Sequence, residues 1–386
     1  MGVTTLSTPQ ASAGGSQAPV SSSEERPNSD ERSEHTSTIG LTSSATIRTL
    51  TFPGSILLIG GSICLLLSIF MISLCSEYYQ VFLAQAFLLG VSISFLYCPA
   101  MATVSRYFNK NKGLTVGITI GGSSLGGVIW PIVLNELLNT HGIGFGWSIR
   151  AMGFIMVPLL VLAIVTVVSP PQTKHRNEQA VAQEIEEKRP KRDLSIAKDP
   201  TFIILCTGLA ISILGLYSPM FYITTYARSL GHPIDISFYL VSVINGSSLF
   251  GRILPGLLAD RYGHFNLCAL AGLASGITSL CWTAAKSIPG LVVWCLAYGF
   301  TSGAILSLQA SCAGSLATRE TQGTALGFLM GAQALTSLFG TPISGQLVGS
   351  YGYLALSMFS GASLVVGSIL IFWARLRLNK NIIAKQ

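Results

Sequence analysis

Charged residues are scarce in this chain of 386 residues, because Asp, Glu, Lys and Arg together make up only 10% of it. In a typical soluble domain about a quarter of the residues are charged. Hydrophobic residues account for 50% of the sequence, and its mean hydropathy is +0.58. The composition therefore excludes an ordinary soluble domain and indicates a membrane protein.

The sequence also lacks the short motifs of several enzyme and cofactor classes. It has no phosphate-binding Walker loop, no dinucleotide-binding glycine motif, no nucleophile turn of the GxSxG type and no HExxH metal motif. Its eight cysteines form no CxxC pair, so we interpret them as small apolar residues rather than as zinc ligands or disulfides. We therefore predict that the protein is not an enzyme, has no catalytic residue and needs no cofactor or metal.

Ten apolar stretches from residue 51 onward are each long enough to cross a bilayer, which requires about 20 apolar residues. The stretches are approximately 51–75, 80–103, 113–138, 147–168, 201–227, 237–259, 265–285, 289–312, 323–348 and 352–376. Lipid offers no hydrogen bonds to the backbone, and the stretches are twice as long as barrel strands, so they are predicted to be helices. The predicted fold class is all-α, a polytopic membrane protein with about ten transmembrane helices.

Polar segments divide the chain into regions. Residues 1–47 are rich in Ser, Thr, Pro and Glu, and they predict a disordered cytosolic tail without a signal peptide. The charged segment 169–200 predicts a cytosolic linker, which separates four helices in 48–168 from six helices in 201–376. A short tail, 377–386, follows the last helix.

Lysine and arginine fall almost entirely on one side of the predicted membrane. If the N-terminus is cytosolic, nineteen of the 23 Lys and Arg residues face the cytosol, and three face outward: Arg150, Arg228 and Lys286. This bias predicts that both termini are cytosolic. The net charge of +7 is then a signal of topology, and no soluble module accompanies it that would indicate nucleic-acid binding.

The two parts of the chain resemble each other. KGLTVGITIGGSSLGGVIWP at 112–131 aligns with QGTALGFLMGAQALTSLFGTP at 322–342, with an offset of 210 that matches three glycines of each segment. Parallel repeats of this size are typical of carriers whose two bundles rock around a central site. The simplest interpretation of the four-residue glycine spacing is close packing of helices.

Several segments together resemble one known family. They are FNKNKGLTVGITIGGSSLGGVIWP at 108–131, LGLYSPMFYITTYARSLG at 214–231, INGSSLFGRILPGLLADRYGHFN at 244–266, ETQGTALGFLMGAQAL at 320–335 and FGTPISG at 339–345. The chain resembles a fungal-type member of the monocarboxylate-porter family in the major facilitator superfamily. The resemblance implies two helical bundles, and alternating-access transport of a small monocarboxylate or related organic metabolite across the membrane.

The chain departs from that family at its N-terminus. Members have twelve helices, whereas the first predicted span here resembles their third, so the N-terminal bundle is expected to be incomplete. An incomplete gene product, a decayed copy and a partner that fills the groove are three open interpretations. The alternative function is therefore a non-transporting homologue or partner subunit.

Arg252 lies deep inside a predicted span. If Asp260 marks the water boundary, Arg252 lies eight residues, or about 12 Å, within the membrane. An arginine at that depth costs from about 3 to over 10 kcal/mol unless it faces a polar cavity or a partner. It therefore predicts a site for an anion, and by resemblance it would hold the substrate carboxylate. A structural arginine bonded to a helix carbonyl or to a glutamine is the other interpretation.

Three further residues are candidates for substrate binding. Asn245 lies two helical turns before Arg252 on the same face of the helix, where it would bind a ligand or join two helices. Tyr222 and Tyr226 lie one turn apart and would offer hydroxyl groups to a substrate or anchor the helix at the membrane interface. In carriers of the resembled family an aspartate precedes the arginine by one turn and helps to carry a proton, but Ser248 stands there. The resemblance implies proton symport, whereas Ser248 provides no carboxylate to carry the proton.

Gly256, Asp260, Arg261 and Gly263 resemble the cytosolic loop signature of the superfamily. The resemblance implies a gating motif, in which a carboxylate at a helix end pairs with a neighbouring helix in one state only. A solvated ion pair, worth about 0 to 1 kcal/mol, is the alternative. The predicted partners are the lipid bilayer and a small organic anion, and the default location is the plasma membrane because no organelle address is present.

Overall fold

The computed structural model of the chain describes residues 53–107, 112–167, 195–318 and 321–378. These ranges are helical with short connections and contain no strand, which confirms the predicted all-α class. The predicted tail at 1–47, most of the predicted linker at 169–200 and residues 379–386 lie outside the described residues.

Nine helices make up the described part of the chain. The second, α2, has three consecutive pieces: Tyr78–Val81, the π-helical Phe82–Leu88 and Leu89–Tyr107. The others are α1 (Pro53–Ile72), α3 (Lys112–Asn135), α4 (Phe145–Thr166), α5 (Pro200–Ser229), α6 (Ile234–Tyr262), α7 (His264–Leu280), α8 (Ile288–Leu316) and α9 (Gln322–Leu378). A π-helical turn, Glu136–Thr140, continues α3.

Helix α9 contains two predicted spans. Its 57 residues would extend about 85 Å at 1.5 Å per residue, nearly three times a hydrocarbon layer of about 30 Å. Gly352 interrupts the helix with φ 78° and ψ −177°, a conformation that favours glycine. Eight helices of the described part are long and apolar enough to cross a membrane, and Ile56–Ile72 is a shorter apolar helix. All ten predicted stretches therefore fall on helices.

The hydrophobic core lies among the last helices. Leu205, Leu209 and Leu216 of α5 are fully buried, as are Leu308 of α8 and Leu364 of α9. Helix α4, in contrast, buries only Ser148 and Gly153, and exposes large apolar side chains along most of its length. Such a surface is stable in lipid and not in water, which agrees with a membrane-spanning role.

Small residues bring the helices of the core close together. Gly208 of α5 faces Gly367 of α9, and Ser360 of α9 donates a hydrogen bond of 2.7 Å to the carbonyl of Gly215. Ser279 of α7 donates a hydrogen bond of 2.9 Å to Ser360. In lipid, helices associate through close packing and interhelical hydrogen bonds of this kind, since no hydrophobic force acts between them.

Candidate functional site

Helices α3 and α6 run antiparallel and are joined by polar contacts over almost their whole length. At one end Asn135 donates a hydrogen bond of 3.3 Å to Asp235. Further along, Ser242 donates one of 3.1 Å to the carbonyl of Val128. The contacts then continue through Arg252 to Asp260 at the other end. We refer to this contact, between Lys112–Asn135 and Ile234–Tyr262, as the α3–α6 interface.

Glycines of α3 allow the α3–α6 interface to close. A side chain on Gly117 would overlap the backbone carbonyl of Arg252, and one on Gly127 would overlap the side chain of Asn245. Gly121 faces Leu249, and a Cβ there would lie 3.0 Å from that side chain. The predicted packing role of the glycine spacing in α3 is therefore confirmed.

Arg252 is held in this interface by oxygen atoms of α3. Its side chain is buried, with 6% relative exposure, and its Nη1 donates a hydrogen bond of 2.7 Å to the carbonyl of Ile120. Nη1 also donates to the hydroxyl of Ser123, which itself donates a hydrogen bond of 2.9 Å to the same carbonyl. One nitrogen of the guanidinium is thus fixed against α3.

The remaining edge of the guanidinium is unpaired. Nε is fully buried, and neither Nε nor Nη2 has a hydrogen-bond partner among the described residues. The phenols of Tyr97 on α2 and Tyr217 on α5 lie near enough to interact electrostatically with Arg252. Side chains from α2, α3, α5 and α6 therefore converge around one cation.

The guanidinium of Arg252 is chemically suited to bind a carboxylate. A guanidinium presents parallel N–H groups in a plane, which matches the two oxygens of a carboxylate. No Asp or Glu of the described residues forms an ion pair with Arg252. Ser248, which occupies the position of the expected proton-carrying aspartate, is buried against Gly303 of α8. The site therefore offers a fixed positive charge without a neighbouring carboxylate.

The other predicted binding residues do not join this cluster. Asn245 donates a hydrogen bond of 2.9 Å to the carbonyl of Val241 in its own helix and packs against α3. The hydroxyl of Tyr222 points to the carbonyl of Thr341 at 3.5 Å. Asn245 is thus fixed within its own helix and against α3, and Tyr222 joins α5 to α9.

Tyr226 belongs to a different part of the molecule. It is buried with ring centroids 5.1 Å from Trp282 and 5.0 Å from Tyr353, and its hydroxyl donates to the carbonyls of Thr283 and Ala285 at 3.3 Å. These contacts fix the connection that follows α7. The structure thus places Tyr226 in an aromatic cluster of the core.

The predicted gating residues lie at the junction of α6 and α7. The Oδ2 of Asp260 accepts a hydrogen bond of 3.4 Å from the backbone N–H of Leu114, in the first turn of α3. Gly256 is buried on α6, and Gly263 turns the chain with φ 92°. Arg261 lies exposed over the ring of Tyr262 at 5.6 Å. The carboxylate therefore reaches a neighbouring helix, whereas Arg261 does not.

The sequence did not single out Ser123, Tyr97 or Tyr217. Both Ser123 and Tyr217 lie in the segments that resemble the family, so that resemblance drew attention to their surroundings but not to their roles. Helical spacing relates residues of one helix and says nothing about which residues of other helices they meet. Only the packed structure brings these three side chains to Arg252.

Comparison with known proteins defines the class. A family model described as Major Facilitator Superfamily matches residues 46–341 and 256–385. An MFS-type transporter of Aspergillus fumigatus is 48% identical over 338 residues, which cover 86% of this chain and 78% of that protein. The agnestins efflux protein AgnL12 of Paecilomyces divaricatus is 48% identical over 325 residues, which cover 84% and 72%.

A solved structure supports the same fold. The crystal structure of the human organic anion transporter MFSD10 superposes with a TM-score of 0.62 at 14% identity, over 86% of this chain and 82% of that one. An apolar helical fold that holds an arginine between two spanning helices is typical of a multi-pass membrane transporter. The chain belongs to the Major Facilitator Superfamily. These matches identify the superfamily and not one of its subfamilies.

Proposed function

We propose that this protein is a secondary carrier of a small monocarboxylate, or of a related weakly acidic organic metabolite, and that it works by alternating access. The observation that carries the proposal is the buried guanidinium of Arg252, whose Nε has no hydrogen-bond partner among the described residues. A charge in hydrocarbon persists in proteins where it pairs, faces water or serves an ion pathway. A carboxylate bound to the unpaired edge satisfies this requirement.

The proposal also covers the subfamily, the direction of transport and the membrane in which the protein lies. The segments around Arg252 and the repeated glycine segments support assignment to the monocarboxylate-porter family. Relatives named as efflux proteins for agnestins and aspyridones, 48% and 32% identical, support export as the direction. The bias of Lys and Arg supports cytosolic termini, and the plasma membrane is the membrane that export requires.

The same proposal includes coupling to protons only if the substrate itself carries the proton. Arg252 cannot release a proton at physiological pH, and Ser248 provides no carboxylate beside it. A cotransported proton would then travel on the substrate, as the acid form of a weak acid. The carrier is accordingly proposed to be facilitative unless its cargo itself brings the proton.

Two helical bundles remain a proposal for the domain organisation. The four helices of 48–168 and the six of 201–376 would form them, with α3 and α6 in contact between the two.

A transport assay with matched arginine variants tests the proposal. The purified protein is reconstituted in liposomes that contain radiolabelled acetate, lactate or benzoate. The movement of each acid across the membrane is measured with and without a pH gradient. We expect the wild type to move at least one of these acids, Arg252→Gln to abolish the movement, and Arg252→Lys to retain a small part because an ammonium group cannot bind bidentately.

The control is Arg228→Gln at the exposed end of α5, which removes an arginine without touching the site. Its transport rate should equal that of the wild type. Transport of the acids by Arg252→Gln at the wild-type rate would contradict the role of Arg252. Absence of transport by a folded wild type, for every acid and gradient, would favour the second candidate.

The second candidate is a non-transporting homologue or partner subunit. The observation that favours it is the hydrogen bonding of Arg252 Nη1 to Ile120 and Ser123, which gives the arginine a structural role between α3 and α6. Under this candidate Arg252→Gln would lower the thermal stability of the protein, and the wild type would show no transport to lose.

A further inference from the structure

Two glutamines form an amide pair in the interior of the described part. Gln333 of α9 donates a hydrogen bond of 2.7 Å from its Nε2 to the Oε1 of Gln309 on α8. Each residue is only 7% exposed, so both side chains are more than nine-tenths buried. Buried polar groups are normally hydrogen-bonded, because an unpaired one is costly. We refer to these two residues as the glutamine pair.

The glutamine pair keeps one free donor and one free acceptor. The Nε2 of Gln309 and the Oε1 of Gln333 have no hydrogen-bond partner in the part of the chain that the structure describes. Neither belongs to the fully buried unpaired atoms of that part, so both keep accessible surface. The pair is therefore able to donate one hydrogen bond to a ligand and to accept another from it.

The glutamine pair lies on the sides of α8 and α9 that face away from lipid. Successive residues of a helix are rotated by about 100°. The exposed Leu335 therefore lies on the side of α9 opposite Gln333, and the exposed Phe300 lies on the side of α8 opposite Gln309. The surface that the pair keeps is open to the interior of the protein and not to the lipid.

An open space lies next to the glutamine pair, between α2, α3, α7, α8 and α9. Its lining includes Ala310, which follows Gln309, and Leu326, which lies two helical turns before Gln333 on the same face of α9. Its volume is about 270 Å³, close to the lower end of the range of about 300–1,000 Å³ that is typical of ligand pockets. A small ligand thus has room beside the pair.

Contacts between α6 and α8 place the glutamine pair near the level of Arg252. Two pairs of residues make backbone contacts between these helices with the same difference of 55 in residue number: Ile244 with Gly299, and Ser248 with Gly303. The same register puts Arg252 beside Ser307 of α8. Gln309 is two residues further along, or about 3 Å at the rise of an α-helix.

The internal repeat gives a second reason to place Gln333 at the centre of the molecule. The offset of 210 pairs Gln333 of α9 with Ser123 of α3, whose hydroxyl accepts a hydrogen bond from Arg252. In carriers built from parallel repeats, equivalent positions face the same central site from the two halves. Gln333 is therefore expected to face the site that Ser123 borders.

We propose that the glutamine pair is a second substrate-binding site, and that it binds an uncharged carboxamide group. The carbonyl of the carboxamide accepts from the Nε2 of Gln309, and its N–H donates to the Oε1 of Gln333. Both free atoms of the pair are then hydrogen-bonded. The pair itself carries no charge, so an ion would lose its hydration there without gaining an opposite charge.

The inference deepens the proposed function, and it rests on that function for the conclusion that the ligand is transported. Arg252 would bind the acid group of the cargo, and the glutamine pair would bind an amide group of the same molecule. A site built to hydrogen-bond a group rejects analogues that lack it, because its own buried polar atoms are then left unpaired. The carrier would therefore prefer acids that also carry a carboxamide.

A binding assay on the purified full-length protein tests the inference without transport. The probes are benzamide and acetophenone, which has the same ring and carbonyl but lacks the N–H groups. A ligand that binds only the folded protein stabilises it, and the melting temperature rises with ligand concentration. We expect benzamide to raise the melting temperature of the wild type, and acetophenone to have a much weaker effect.

Replacement of both glutamines assigns the effect to the glutamine pair. The double variant Gln309→Met, Gln333→Met loses both amides and keeps similar side-chain volumes, so its stability should be close to that of the wild type. Its apparent affinity for benzamide should fall by at least about tenfold, because two hydrogen bonds to the ligand are lost. The matched control is Gln85→Met, which removes an exposed amide of α2 and should bind benzamide as the wild type does.

The outcomes separate this inference from the proposed function. Arg252→Gln should keep the stabilisation by benzamide even though it abolishes transport, because an uncharged probe needs no cation. Equal stabilisation of the wild type and the double variant, or none of the wild type, would overturn the glutamine site and leave the role of Arg252 standing. If the double variant does not fold, Gln333→Asn, which shortens the amide side chain by one methylene, must weaken the benzamide shift instead.

Discussion

At the scale of single residues, Arg252 combines two roles that are usually opposed. A buried charge that is fully paired within the protein has little to offer a ligand, and one that is unpaired is very costly. Here Nη1 is paired with α3, while Nε and Nη2 have no partner among the described residues. The paired edge fixes the orientation of the group, and the open edge keeps its capacity to bind an anion.

Neighbouring serines of α3 provide a test of the paired edge. Ser123→Ala removes a hydroxyl that accepts from Arg252, and should cost about 1.5–3 kcal/mol because hydrogen bonds to charged groups are the stronger ones. Ser124→Ala removes a buried hydroxyl that has no hydrogen-bond partner in the described part of the chain, and should be neutral or slightly stabilising. Thermal melting of the purified variants measures both. Equal melting temperatures would show that Ser123 does not hold the guanidinium.

Single residues also show the limits of prediction from sequence. Gln309 and Gln333 lie within apolar spans, where an amide is expected to bond to another helix rather than face lipid, and Gln333 donates a hydrogen bond of 2.7 Å to Gln309. The same rule fails for Gln85, which is exposed on a π-helical segment. A polar residue within a span must find a partner, but the partner's identity depends on packing that a sequence pattern does not contain.

At the scale of helices, α3 contacts α6 so closely that glycine is required at particular points. Gly117→Ala would drive its methyl group into the backbone carbonyl of Arg252, a group that cannot move without shifting α6. Gly122→Ala meets open space and should stabilise the helix by about 1 kcal/mol, the usual preference for alanine over glycine. We expect opposite changes in melting temperature. A similar gain in both variants would contradict the described distance between α3 and α6.

The repeated helices are alike in sequence and begin at equivalent positions, but they differ in their contacts. Helix α3 begins at Lys112 and α9 at Gln322, the offset of 210 seen in the sequence. Gly117 and Gly121 face α6, whereas their equivalents Gly327 and Gly331 face no described side chain or backbone within 4 Å. The packing role predicted for the glycines thus holds in α3 and is wrong for Gly327 and Gly331 of α9, around which the described residues leave open space.

Most helices followed from composition, because a bilayer imposes both length and apolar character on each span. The gap between the apolar stretches 323–348 and 352–376 predicts a break in the helix, and the structure places it at Gly352, one residue beyond the gap. The π-helical segments Phe82–Leu88 and Glu136–Thr140 were not, since their apolar pattern does not differ from that of an α-helix. The sequence therefore predicted which segments cross the membrane, but not which of them contain π-helical turns.

At the scale of the whole molecule, the α3–α6 interface is tied at both ends by carboxylates of α6. Asp235 accepts from Asn135 at one end, and Asp260 accepts from the first turn of α3 at the other. Arg252 lies between them. If the two groups of helices rock about a central site, one end of this interface must separate while the other end remains closed.

The two ends can be weakened separately by equivalent substitutions. Asp260→Asn removes a negative charge from the N-terminus of α3, an interaction typically worth about 0.3–1 kcal/mol and up to about 2 where it is partly buried. This loss should favour opening of the Asp260 end of the α3–α6 interface by a few-fold. Asp235→Asn keeps that end intact and weakens the other end.

The two variants are distinguished by access to the space between α2, α3, α7, α8 and α9, which has a volume of about 270 Å³ and whose lining includes Val116 and Ser311. A cysteine introduced by Ser311→Cys lines this space and is labelled by a membrane-impermeant maleimide added on the side that the proposed topology makes cytosolic, with the labelled peptide measured by mass spectrometry. We expect Asp260→Asn to raise the labelling rate and Asp235→Asn to lower it or leave it unchanged. If both variants raise the rate equally, the two ends do not open in alternation. The α3–α6 interface would then be a fixed support, and access to Arg252 would have to depend on other helices.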